Sequence, residues 1–244
     1  MASKCIWIDS AKSTNSYLSD IADEVADGVA VAARSQTAGR GQRGNSWESE
    51  PGKNLTFSLM LRPQGLDASE QFYISEAVAL GVVDALLGKL PDGAPVAIKW
   101  PNDIYWENRK ICGILIENSL MGRKINYSIA GVGINVNQRE FVSDAPNPVS
   151  LWQITGDEVA LEPFLEQVVD AIMRRMAMPY GKLHADYMAA LWGSSGRTYR
   201  DTATGEVFKA GISDVAPTGH ITLLPEGDSK APRIYAFKEV AVVL

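Results

Sequence analysis

Eight consecutive residues, Asn54-Leu55-Thr56-Phe57-Ser58-Leu59-Met60-Leu61, alternate polar and apolar almost without a break. A period of two sends successive side chains to opposite faces, so this run predicts a half-buried β-strand. Further apolar runs read as strands: Cys5 to Ile8, Val29 to Ala33, Val96 to Trp100, Ile104 to Trp106, Lys110 to Glu117 and Tyr127 to Asn137. Pro101 stops the run at Trp100, because proline cannot donate to a ladder. Between them lie helical spacings. Ser13 or Thr14 caps a segment with Tyr17, Leu18, Ile21 and Val25, which ends at Gly28. Asp67 to Glu70 has capping-box spacing and opens a helix so widely apolar, from Phe72 to Leu87, that it reads as a core helix. Two more helices follow, from about Leu161 to Met176 with Pro163 in the first turn and from Tyr180 to Trp192. Strands outnumbering helices in this order predict an α+β chain with a mixed β-sheet flanked by helices.

The texture changes at Gly196, where five short strand-like runs are separated by turn-rich segments and suggest a small β-barrel. The expected division is therefore 1–195 and 196–244. At 244 residues and 46% hydrophobic, the chain is long enough for one large core and an appendage. Its net charge of -6 argues against a general nucleic-acid binder, and no run of apolar residues approaches a membrane span. Cys5 and Cys112 have no metal-ligand spacing, which fits a reducing, cytoplasmic compartment.

Positive charge is nevertheless concentrated in one place. From Val31 to Trp47 there is no acidic residue, while Arg34, Arg40 and Arg43 are interleaved with Gly39, Gly41 and Gly44. Glycines let a backbone approach a ligand closely, and arginine offers a planar fork of donors to a carboxylate or phosphate. Such a stretch is either a flexible surface hairpin or an anion cradle. Ser13, Thr14 and Asn15 read on spacing alone as helix caps. Gly113 interrupts one apolar strand, and Gly131 and Gly133 weaken another. The latter pair leaves room for a flat group on the sheet or for a crossing helix. His184 and His220 belong to no motif and read as surface histidines, and Arg174 and Arg175 as helix-end residues.

Five stretches in order, Ser13-Thr14-Asn15, Gln36 to Gly44 with Trp47, Lys99-Trp100-Pro101-Asn102-Asp103, Arg109-Lys110 with Gly113, and Gly131-Val132-Gly133-Ile134-Asn135, resemble the biotin–protein ligases. The resemblance implies a class II synthetase-like (biotinyl/lipoyl ligase) fold with a C-terminal SH3-like barrel, and a form without the family's N-terminal DNA-binding domain. It implies ATP and biotin as substrates, Mg2+ with the nucleotide, and transfer of biotin from biotinyl-5′-AMP to a lysine of a biotin carboxyl carrier protein. Neither nucleic acid nor membrane is an expected partner, and an exposed sheet edge admits a homodimer.

By the same resemblance Ser13, Thr14, Asn15 and Gln36 hold biotin, together with Gly39, Arg40, Gly41, Gln42, Lys110, Gly113, Gly131 and Gly133. Adenylate falls to Arg40, Arg43, Gly44, Trp47, Asn102, Asp103, Lys110 and Asn135. Lys110, Arg40, Arg43 and Asp103 are the expected catalytic groups, with Asp103 either a metal ligand or the acceptor of the incoming amine's proton. Many family members carry a third arginine where Gln42 stands, so this chain is expected to release its adenylate somewhat faster. The rival readings are a lipoate–protein ligase or octanoyltransferase and a non-catalytic biotin sensor.

Overall fold

The computed structural model describes residues 4–42, 46–142, 147–194, 196–227 and 231–243. In chain order the elements are β1 (Lys4–Ala11), α1 (Thr14–Asp20), β2 (Val29–Gln36), β3 (Leu55–Leu61) and α2 (Phe72–Leu87). Next come β4 (Val96–Lys99), β5 (Asp103–Trp106), β6 (Arg109–Met121) and β7 (Lys124–Ile134). Three helices, α3 (Leu151–Thr155), α4 (Leu161–Met176) and α5 (Tyr180–Ala189), precede β8 (Arg197–Asp201), β9 (Val207–Val215), β10 (Ile221–Pro225), β11 (Arg233–Tyr235) and β12 (Val240–Val242).

Strands β1 to β7 form one mixed sheet in the order β1-β2-β3-β7-β6-β5-β4. Only β1 and β2 run parallel, joined across α1. The expected half-buried strand β3 is buried at every residue, because it lies in the middle of the sheet and both faces are covered. Its odd-numbered residues Leu55, Phe57, Leu59 and Leu61 join the main core under α2 and α4. Met60 faces the other way, into a smaller cluster with Leu18 and Ala22. Thr56 and Ser58 share that second face, where the site lies. The expected helix from Ser13 to Gly28 is shorter than its spacing suggests: α1 ends at Asp20 and a 3-10 turn, Ala22–Glu24, follows.

Arg175 closes the helical layer by pairing with Asp84 at 2.7 Å and Asp186 at 2.5 Å, a structural role of the kind its position near the helix end suggested. The five C-terminal strands form a separate antiparallel sheet, β11-β10-β9-β8-β12. The expected barrel is not closed, since β11 and β12 are the two edges of this sheet and do not pair with each other.

Candidate active site

Strand register builds the floor of the site. Asp103 pairs with Gly113, Gly113 with Gly133, and Gly133 with Thr56, which makes one row across β5, β6, β7 and β3. Two adjacent glycines in that row leave a flat depression with a carboxylate at one end and a hydroxyl at the other. Lys110 joins this face through an irregularity. Lys110 and Gly113 are three residues apart and would face opposite sides of a regular strand. The register between β5 and β6 shifts at Ile104/Tyr105, and the ammonium of Lys110 comes to 3.3 Å from where a Gly113 Cβ would stand. The Lys110 backbone is fixed by bonds from its N–H to Asn147 O and from Val149 N–H to its own carbonyl.

A second row, Leu115–Gly131–Ser58, supports the entry of α1. A Cβ on Gly131 would overlap the Asn15 carboxamide, so this glycine makes room for α1. Ser58 Oγ lies 2.7 Å from Thr14 Oγ1 and donates to Asn15 Oδ1 at 2.5 Å, and Asn15 Nδ2 donates to Glu117 at 2.7 Å. Gln36 accepts from the Thr14 N–H at 2.8 Å. Ser13, Thr14 and Asn15 are all buried, and the Ser13 side chain makes no cap bond. Their burial against β3 and β2, rather than helix capping, is what they serve.

Over this floor lies a cavity of about 520 Å3, lined by Ser13, Thr14, Asn15, Gln36, Arg40, Gly41, Gln42, Trp47, Asn102, Asp103, Lys110, Gly113, Gly131 and Gly133 among others. Fourteen scattered residues singled out by sequence thus meet in one place. Two do not. Gly39 packs under the loop, where a Cβ would come within 2.8 Å of the Trp47 carbonyl. Asn135 is buried behind the cavity and donates to Val149 O at 3.1 Å, so its role is to tie β7 to the segment that holds Lys110. Arg43 and Gly44 lie outside the described residues.

Trp47 covers the floor. The room above Gly113 and Gly133, read as access for a flat ligand, holds the Trp47 indole: a Cβ on Gly133 would overlap it, and one on Gly113 would come within 2.9 Å. The indole N–H is buried without a partner among the described residues. The loop carrying it is pinned at its base by Trp47 N–H to Gly39 O at 3.0 Å and an Arg40–Ser46 bridge.

Two of the cations at the cavity, Lys110 and Arg40, are paired but accessible. Lys110 meets Asp103 at 2.7 Å, and Arg40 meets Glu117 at 3.1 Å with both side chains nearly half exposed. An exposed pair is worth at most about 1 kcal/mol. An exposed pair of this kind opposes little to an anion that competes for Arg40. Sequence reasoning missed Glu117, Ser58 and Lys99. Burial makes Lys99 give up its proton more easily than usual, with Asp103 opposing, and its Nζ donates to Tyr105 Oη at 3.1 Å. Burial likewise pushes Tyr105 up to about 12. The polar faces of a strand flag Ser58 and Lys99 weakly, and nothing local flags the rest. Also missed was the C-terminal sheet, which supplies Tyr199, Phe237, Lys238 and Val240 to the cavity wall. Trp100 fastens that wall, donating to Gly219 O at 3.0 Å and meeting Phe237 edge-on.

A second joint corrects the reading of His184 as a surface histidine. Its Nδ1 lies 2.8 Å from Glu76 on α2 and its Nε2 3.2 Å from Asp214 on β9, so it bridges the helical layer and the C-terminal sheet. Burial opposes its charge, but the two carboxylates outweigh burial and raise its proton affinity. Glu76 is fully buried, and burial raises its carboxyl despite His184.

A floor of paired glycines, with Lys110 and Asp103 beside it, Arg40 at the rim and the Trp47 loop above, defines one polar, cationic site at the centre of the main sheet. The chain belongs to the biotin/lipoate A/B protein ligase family, whose profile matches residues 7–135. It is 36% identical over 169 residues to a biotin–[acetyl-CoA-carboxylase] ligase of Paracoccus denitrificans, covering 68% of this chain and 70% of that protein. A ligase of the same name from Mycobacterium tuberculosis is 32% identical over 67% of this chain and 60% of its own length. A biotin protein ligase of Aquifex aeolicus, solved with biotin and ATP, superposes with a TM-score of 0.79 over 98% of both chains at 23% identity, a likeness of fold.

Proposed function

We propose that the chain is a biotin–protein ligase that makes biotinyl-5′-AMP and passes biotin to a lysine of a biotin carboxyl carrier protein. The observation that carries this reading is the Asp103–Gly113–Gly133–Thr56 row, with Lys110 set beside Asp103 and Arg40 at the rim. In the first half-reaction a carboxylate oxygen of biotin attacks the α-phosphorus of ATP. A new P–O bond forms and pyrophosphate leaves with the electrons of the broken bond. Two anions approach each other, so Lys110 and Arg40 exchange Asp103 and Glu117 for the carboxylate and phosphate. Ser13, Thr14 and Gln36, which line the cavity, supply hydrogen-bonding groups for the ureido ring.

In the second half the lysine nitrogen attacks the acyl carbon, an amide forms, and AMP leaves with the electrons of the anhydride bond. Asp103, released by Lys110, accepts the amine's proton. Among the described residues no three acidic, histidine or cysteine groups converge to hold a metal. That donor set fits Mg2+ carried in on the phosphates of ATP, with Asp103 at most one further ligand. Residues 1–195 then bind both substrates, and 196–244 close the cavity as a second domain.

The test is to incubate the protein with MgATP, an unbiotinylated carrier domain of an acetyl-CoA carboxylase, and either biotin or lipoate, and to read the intact mass of the carrier. One biotin adduct is expected. A lipoyl adduct in its place, or none with either acid, overturns the reading.

A further inference from the structure

A second cavity, of about 250 Å3, adjoins the first and shares Gln42, Pro101, Asn102, Ile114 and Phe237 with it as a common wall. It opens at Gln71, Thr218 and His220, between the start of α2 and the C-terminal sheet. The two chambers differ in charge. The larger one is lined by Arg40, Lys99, Lys110 and Lys238 with Asp103. The smaller one has no Asp, Glu, Lys or Arg among its described lining residues, only amides, hydroxyls, apolar groups and His220.

Taking the ligase reading as its basis, we propose that this neutral chamber is the entrance for the acceptor lysine of the carrier protein. An ammonium brought in through the larger chamber would pass Arg40, Lys99, Lys110 and Lys238, of which only Arg40 and Lys110 meet a carboxylate, so the like charge there opposes its entry. A wall without carboxylates does the opposite service: it withdraws water and offers no counter-charge, which favours the neutral amine that must attack. Gln42 lies at the seam, and its side-chain carbonyl oxygen is buried with no donor among the described residues. That orphaned acceptor matches an N–H of the incoming amine. Asp103, the proton acceptor, follows Asn102 of the same shared wall. The chamber thus delivers an uncharged nucleophile at the anhydride while the cations hold the phosphate.

The experiment fills the chamber from its two sides, with Ser75→Trp on α2 and Thr218→Trp on an exposed turn, and measures the half-reactions separately. Biotin-dependent exchange of pyrophosphate into ATP is expected to stay within twofold of the unmodified protein. Hydroxylamine, an amine too small to need the chamber, should still give biotin hydroxamate. Transfer to an unbiotinylated carrier domain should fall at least tenfold in kcat/KM. Undiminished transfer overturns the proposal, as does exchange that falls in parallel with transfer. Absence of biotin-dependent exchange from the unmodified protein instead sinks the ligase reading, and this entrance with it.

Discussion

Gly81 and Gly133 are both glycines with no space for a Cβ, but what fills that space differs. At Gly81, in the middle of α2, a Cβ would stand 2.5 Å from Ile172 Cα and 2.6 Å from its nitrogen, so the obstacle is the backbone of α4. At Gly133 the obstacle is the indole of Trp47, a side chain on a loop. The first glycine lets two helices cross in contact and is structural. The second keeps a floor that a movable group covers and a substrate can claim. A missing side chain in a sequence therefore says that something comes close, and only the neighbour says whether it can leave.

The largest effect expected lies on the floor side. Lys110→Ala should cut biotin-dependent pyrophosphate exchange roughly a hundredfold or more, as removal of a group aimed at developing charge does. Thermal unfolding should barely move, since Asp103 remains partly accessible after its partner goes. Activity surviving this change would return Lys110 to an ordinary strand residue and erase the contrast between floor and helix seam. Next comes the pair itself. Gly81→Val should overpack the helix crossing by roughly 1–3 kcal/mol, lowering the melting temperature by roughly 2–12 °C in a chain of this size, with KM for biotin unchanged. Gly133→Val should do the reverse in calorimetry and kinetics: a small change in melting, because the indole can shift, and a KM for biotin raised more than tenfold. Equal melting losses in the two variants would break the comparison.

A smaller effect concerns how the C-terminal wall is held. His184 is faced by Glu76 from α2 and Asp214 from β9, stacks on Tyr180, and lies on the same helix as the buried Tyr187. Because the folded chain raises His184 above its usual 6.5, its stabilisation is complete below that pH and is lost as pH rises through the elevated value. The raised carboxyl of Glu76 acts in the same direction. Denaturant melts should therefore show the unmodified protein exceeding His184→Asn by more at pH 6 than at pH 8.5; a pH-independent gap would mean that the bridge carries no charge. The smallest effect is at Gln42, where Gln42→Arg should slow release of biotinyl-AMP a few-fold in a filter-retention assay, and equal rates would remove the link between loop charge and grip.

Local patterning made much of this legible. The strands of the main sheet, α2, and the span of α4 follow from period, since each is decided by its own residues, while the capping box at Asp67 closes a 3-10 turn, Ala68–Glu70, ahead of α2. What was not legible depends on partners distant in sequence. The burial of Thr56 and Ser58 on β3 comes from α1 covering the second face. The face Lys110 shows comes from a register shift set by β5, and the Trp47 indole reaches its place from another strand's loop. Lys238 enters the wall because β11 and β12 end beside Trp100, and open strands look the same in sequence as those of a closed barrel. His184 joins a carboxylate of α2 to one of β9, and no spacing announces that. Of the site, the residues in compact motifs were readable, while those brought in by the C-terminal sheet were not.

The central claim is that this floor and its cations activate biotin. Pyrophosphate exchange into ATP, measured with MgATP and either biotin or lipoate and no carrier present, tests it most directly. The account predicts exchange with biotin and none with lipoate; exchange with lipoate alone, or with neither acid, would contradict it.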